Sequence, residues 1–160
     1  MSVATENEYY DIVKYLAENG ADVNAFKSGR SFLNLSVPPL YIASVMGNSA
    51  TAKCFVQNGA DANIAFHGEK TPLFYASVLG HIDIVTVLVE NGADVDFCDF
   101  KFKSPLCAAS EEGHTDIVLF LIRNGCDINL RDMYGRSPLL ASIETGHFDT
   151  LRFWWTIIVK

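Results

Sequence analysis

The amino-acid sequence predicts an all-α repeat protein built from successive helix pairs. Three markers return every 33 residues in one register, the first being an Asn-Gly pair whose glycines are Gly59, Gly92 and Gly125. The second marker is a Pro-Leu pair, whose prolines are Pro39, Pro72, Pro105 and Pro138. The third is a glycine followed by His or Asn, at Gly47, Gly80, Gly113 and Gly146. Agreement of three markers leaves little room for coincidence, and a fixed period of this length is the signature of a repeat architecture.

The repeat that begins at Thr71 shows how each unit is predicted to fold. The Thr71 hydroxyl can cap a free backbone N–H, and Pro72 at the first helical position loses no hydrogen bond. A short helix runs to Gly80, and a second helix has Asp83 in its first turn, where the helix dipole favours an acid. Gly92, in the recurring "NGAD", ends this helix because glycine accepts the left-handed cap conformation cheaply. The apolar face of the second helix is formed by Ile84, Val85, Leu88 and Val89.

The register divides this single domain, residues 1–160, into units with atypical ends. The units are a partial repeat 1–24, a repeat 25–63 with an insertion between Asn24 and Pro38, repeats 64–96 and 97–129, and an atypical C-terminal repeat 130–160. Ile157 and Ile158 stand where Asn-Gly should stop the last helix. The terminal "RFWWTIIVK" therefore either closes the stack by its own packing or is continued by a longer solenoid, and terminal repeats are normally polar.

Composition and charge narrow the class of protein. The chain has 160 residues, 49% of them hydrophobic, which suits one domain with a sizeable core. Its net charge of −7 argues against binding nucleic acid. No apolar run approaches the roughly 20 residues of a membrane span, and the N-terminus lacks the pattern of a signal peptide. We therefore expect an intracellular protein, in the cytoplasm, with reduced cysteines.

The segments that carry the repeat resemble those of ankyrin repeat proteins. They read "KTPLFYASVLGHIDIVTVLVENGADVD", "KSPLCAASEEGHTDIVLFLIRNGCDIN" and "RSPLLASIETGHFDTLRFWW", and the resemblance covers essentially all of the chain. It implies antiparallel helix pairs stacked into a curved solenoid, with β-hairpin finger loops along one edge. It also implies non-catalytic binding of other proteins through the concave face and the fingers.

Two departures from the family pattern affect the fingers and the first helices. The family often has histidine after Thr-Pro-Leu, where this chain has Tyr41, Phe74, Cys107 and Leu140, so a hydrogen-bonded link is expected to be missing. The finger glycine is kept at Gly135 but is Glu69 and Phe102 in the two preceding repeats, which predicts irregular finger turns there.

No motif predicts catalysis, a metal site or a cofactor. His81, His114 and His147 each stand two residues before an aspartate, but they recur at helix starts, where a structural role is sufficient. Three cysteines, Cys54, Cys107 and Cys126, occupy small apolar packing positions, and no pair has zinc-finger spacing. We expect no enzyme activity and no cofactor.

The finger loops and the ends of the first helices are the predicted binding surface. The fingers carry seven bases against four acids, and aromatic residues beside cations are typical of interface anchors. The first helices end in apolar pairs in the N-terminal half and in glutamates in the C-terminal half, which predicts a graded groove. The predicted partner-binding residues are Val45, Met46, Phe66, His67, Lys70, Val78, Leu79, Phe100, Lys101, Lys103, Glu111, Glu112, Met133, Tyr134 and Arg136.

These features predict an adaptor or scaffold that binds another protein with an acidic, partly apolar surface or peptide. The alternative is a structural segment of a larger multidomain protein with no independent partner. We expect a monomer unless the apolar C-terminal end self-associates.

Overall fold

A computed structural model of the chain describes residues 10–24, 37–65 and 70–158. These ranges contain nine α-helices and no β-strand, so the predicted all-α class is confirmed. The helices are α1 (Tyr10–Glu18), α2 (Pro39–Val45), α3 (Ser49–Gln57), α4 (Pro72–Leu79), α5 (Ile82–Glu90), α6 (Pro105–Glu112), α7 (Thr115–Arg123), α8 (Pro138–Thr145) and α9 (Phe148–Ile158). None of them is both long and apolar enough to cross a membrane.

The helices stack in two rows. The front row consists of the first helices of the repeats, α2, α4, α6 and α8, and each contacts the next. The back row consists of α1, α3, α5, α7 and α9, which likewise contact one another in order. A helix pair cannot bury its apolar face alone, so each unit is stabilised mainly by its two neighbours.

The starts of three front-row helices follow the sequence prediction. The hydroxyls of Thr71, Ser104 and Ser137 accept hydrogen bonds from the backbone N–H three residues later, at 3.2, 3.1 and 3.3 Å. Proline follows each of them at the first helical position. The α2 helix starts differently, because Pro38 at its cap has no side-chain donor or acceptor.

The core lies between the two rows and repeats with the sequence. Leu73 and Leu106 of the front row and Leu88 and Leu121 of the back row are all fully buried. Burying one such side chain contributes about 1.5–3 kcal/mol. Trp154 takes the equivalent position in α9 and is 2% exposed, whereas its neighbour Trp155 is 68% exposed.

The connectors between repeats are joined by a ladder of side-chain amides. Asn63 donates to the Gly92 carbonyl at 3.0 Å and accepts from a backbone N–H two residues further on at 2.7 Å. Asn24 makes the same two bonds one repeat earlier, at 3.1 and 3.0 Å. Asp96 stands at this position in the next repeat and accepts from the Asp127 N–H at 2.9 Å. An ionised carboxylate is an acceptor only, so this rung lacks the donated bond.

The histidines at the helix starts join adjacent repeats. The Nε2 atoms of His114 and His147 lie 3.0 and 2.8 Å from the carbonyl oxygens of Val78 and Glu111 in the preceding repeat. Each ring also lies against the glycine at the mid-repeat turn, where an added Cβ would come within 3.0 Å of it. These contacts give His114 and His147 a structural role between repeats.

Candidate functional site

The last two fingers are built on the same turn. In the finger 96–104, the Asp99 Oδ1 atom accepts from the backbone N–H groups of Lys101 and Lys103, both at 2.9 Å. The Asp99 N–H in turn donates to the Lys103 carbonyl at 3.1 Å. Asp132 makes the matching three bonds with Tyr134 and Arg136 in the finger 129–137. A buried aspartate thus organises the tip of each of these two fingers.

Phe102 occupies the position that a glycine holds in the other finger. Its φ of 57° is in the left-handed region, close to the 76° of Gly135. Its backbone N–H bonds to the Asp99 carbonyl just as the Gly135 N–H bonds to that of Asp132, both at 2.9 Å. The prediction of an irregular turn here is therefore wrong: the turn is regular, and the phenylalanine backbone is strained instead. The other departure, at Glu69, lies outside the described residues.

A groove of about 240 Å³ lies between this finger and the front-row helices α4 and α6. Its lining combines finger residues with helix residues, namely Lys70, Phe74, Val78, Asp99, Phe100, Lys101, Lys103 and Glu112. Six of these belong to the predicted binding set. Phe74 and Asp99 are not in the predicted set, because the sequence marks Phe74 only as a departure from the family pattern and Asp99 only as one of the finger acids.

The groove has an apolar part formed by three residues. Phe100 is 58% exposed, Val78 is half-buried, and Phe74 is almost completely buried at the base. The Lys70 ammonium lies 5.2 Å from the centre of the Phe74 ring. Such an arrangement favours a ligand with an apolar side chain, because the exposed ring can lose water on binding.

The cations of the groove are of two kinds. The Lys103 ammonium forms an ion pair with the Glu111 carboxylate, so its charge is neutralised within the protein. Lys70 and Lys101 have no carboxylate partner in the described ranges and lie instead over aromatic rings, Lys101 at 5.5 Å from the Phe100 centroid. Judged from the described residues, these two cations of the groove are available to a partner's carboxylate, and Lys103 is not.

Arg136 belongs to an ion-pair network rather than to a free surface. Its guanidinium lies 2.7 Å from Asp132, 3.5 Å from Glu111 and 3.4 Å from Glu144. Burial disfavours the charged form of Asp132, but hydrogen bonds from the backbone and side chain of Arg136 and from the Tyr134 backbone outweigh it and lower the pKa of the carboxyl. Much of the finger charge counted in the sequence is therefore neutralised internally.

The other predicted binding residues within the described ranges do not line the groove. Met133 and Tyr134 are exposed at the tip of the last finger, and the Met133 N–H donates to the Lys101 carbonyl at 2.8 Å, which joins the two tips. Met46 and Leu79 are exposed at the ends of front-row helices, and Val45 is half-buried. Phe66 and His67 lie outside the described residues.

The cysteines of the described ranges are mostly buried. All four cysteines are free, and Cys54, Cys107 and Cys126 are buried as predicted. Burial raises the pKa of Cys107 to about 11 and that of Cys126 to about 12, so neither thiol is activated. No group of three or more His, Cys, Asp or Glu side chains within these ranges could hold a metal ion.

Comparison with protein families agrees with this architecture. The family model described as ankyrin repeats (3 copies) matches residues 1–99 and 97–153. No curated protein matches the chain. The family match spans nearly the whole sequence and coincides with the stacked helix pairs. The chain belongs to the ankyrin repeat family.

Proposed function

We propose that this protein is a non-catalytic adaptor or scaffold that binds another protein through the groove beside the finger 96–104. Ankyrin repeats are generally protein–protein interaction modules. The groove combines an apolar lining with two cations, Lys70 and Lys101, that form no ion pair with a described residue, which suits an acidic, partly apolar segment of the partner.

The pairing of Phe100 with Lys101 carries this proposal. Both side chains are exposed at a turn tip that Asp99 holds in place, and the lysine lies over the ring. An exposed aromatic ring is a common anchor of interfaces, and a tip fixed by backbone hydrogen bonds loses little conformational freedom on binding.

A quantitative pull-down with matched variants tests the proposal. Wild type is compared with the double variant Phe100→Ala and Lys101→Ala, after circular dichroism has shown that both are folded. The matched control changes Phe148 and Lys53, which are also exposed but belong to the back row, to alanine. We expect the groove variant to lose partners that wild type and the control retain. A groove variant that captures the same proteins as wild type would overturn the proposal.

Exposed apolar residues at the last helix pair favour a second candidate, a structural segment of a larger protein. Leu140 and Ile143 are 38% and 52% exposed, whereas the residues at the same register in the preceding repeat, Cys107 and Ser110, are buried. Under this reading neither wild type nor either variant enriches a partner, and the same pull-down distinguishes the two candidates.

A further inference from the structure

The groove has opposite charges at its two ends that form no ion pair with any residue the structure describes. Lys70 immediately precedes the cap of α4, and Lys101 lies at the neighbouring finger tip, so both cations are at the end where the front-row helices begin. Glu112 is the last residue of α6 and is exposed without an ion-pair partner in the described ranges. The two other charged groups of the lining are satisfied internally, Lys103 by Glu111 and Asp99 by backbone N–H groups.

The length of the helices sets the scale along the groove. The α6 helix has eight residues and rises about 1.5 Å per residue, so the backbone positions at its two ends are roughly 10–12 Å apart. An extended peptide advances about 3.3 Å per residue, so roughly three to four residues span the same length. Phe100 and Val78 line the groove together with these charges and supply its apolar surface.

We propose that the groove binds an extended peptide in one direction, with an acidic side chain near Lys70 and Lys101 and a basic side chain three or four residues away at Glu112. An apolar side chain between them packs against Phe100 and Val78. This inference rests on the proposed function and specifies the peptide that the groove selects. A peptide in the reverse direction places like charges together at both ends, and such repulsion is a usual source of specificity.

Selection of peptides from a random heptapeptide display library tests the charge order. The targets are wild type, Glu112→Lys and the control Glu90→Lys, which reverses an exposed acid at the end of the back-row helix α5. Lysine suits the last turn of a helix, so both variants should fold. We expect wild type and the control to enrich peptides with an acid and a base three or four residues apart around an apolar residue. Glu112→Lys should instead enrich an acid at the basic position.

A charge swap with one selected peptide measures the same contact quantitatively. Changing the basic residue of the peptide to glutamate should weaken its binding to wild type by about fivefold, the size expected for an exposed ion pair. Glu112→Lys should restore that affinity, and fluorescence anisotropy of the labelled peptide reads both results.

Two results would overturn the inference, and they differ in what they say about the groove. Each selected peptide is also tested against the double variant Phe100→Ala and Lys101→Ala. Peptides that this variant no longer binds but that bind Glu112→Lys unchanged would disprove the charge order and leave the proposed function standing. Selection that enriches no peptide dependent on Phe100 and Lys101 would disprove both.

Discussion

Replacing Asp96 with asparagine should stabilise the protein, because it completes the ladder between the connectors. Asn63 both donates to a carbonyl and accepts from an N–H of the next repeat, whereas Asp96 only accepts. The Asp96→Asn side chain can donate to the Gly125 carbonyl, the counterpart of the Gly92 carbonyl that Asn63 reaches. One such donated hydrogen bond stabilises the fold by about 1 kcal/mol net. The existing bond from the Asp127 N–H becomes weaker, because its acceptor is then a neutral amide oxygen instead of a carboxylate, and this loss cancels roughly half of the gain. The substitution also removes one negative charge from a chain of net charge −7, which favours the compact state.

We therefore expect the free energy of unfolding to rise by about 0.5–1 kcal/mol, with a melting temperature higher by roughly 1–4 °C. Urea and thermal unfolding followed by far-ultraviolet circular dichroism measure both quantities. Asn63→Asp is the reciprocal control and should lower the stability by a similar amount, since it removes the donated bond. A destabilised Asp96→Asn variant, or an Asn63→Asp variant as stable as wild type, would refute the reasoning.

Four further substitutions or conditions test the structure. Phe102→Gly should raise the free energy of unfolding by about 0.5–1 kcal/mol in a urea titration, because relief of left-handed strain exceeds the entropy cost of glycine; unchanged stability would contradict the strain. Gly113→Ala should lower it by about 2–3 kcal/mol in the same titration, since the new Cβ would lie 2.5 Å from the His147 ring and φ is 79°. The interactions that lower the pKa of Asp132 stabilise the folded protein at pH values above 3.8, the ordinary pKa of the group. The stability of wild type relative to Asp132→Asn should therefore decrease as the pH falls below 3.8, and melting temperatures of both proteins at pH 7 and pH 3 measure this difference. Iodoacetamide should label Cys98 first in the folded protein, as read by peptide mass spectrometry, because the other three cysteines are buried; early labelling of any of those would contradict the packing.

Local signals predicted the helix pairs well. The caps at Thr71, Ser104 and Ser137 and the stops at Asn-Gly are properties of a few adjacent residues, so the sequence alone identifies them. The two-row stack required the family resemblance, because periodicity says which faces are apolar but not how they are paired.

The candidate site was predicted less completely, because its charges are paired between repeats. Lys103 and Arg136 look equivalent to Lys101 in the sequence, yet both form ion pairs with Glu111, which is in a helix of the front row. The turn at Phe102 was misjudged for a different reason. Glycine is favoured at a left-handed position but is not required there, and the Asp99 hydrogen bonds hold the turn despite the strain.

The adjacent tryptophans of the last helix give the protein a built-in spectroscopic probe. Trp154 is buried and Trp155 is exposed, and the chain has no other tryptophan. Unfolding should therefore shift the emission of the first indole to longer wavelength and leave the second nearly unchanged. Since both belong to the C-terminal repeat, fluorescence follows that repeat alone, whereas circular dichroism follows every helix. The gap between the two unfolding curves is then a measure of how strongly the C-terminal repeat is coupled to the rest of the stack.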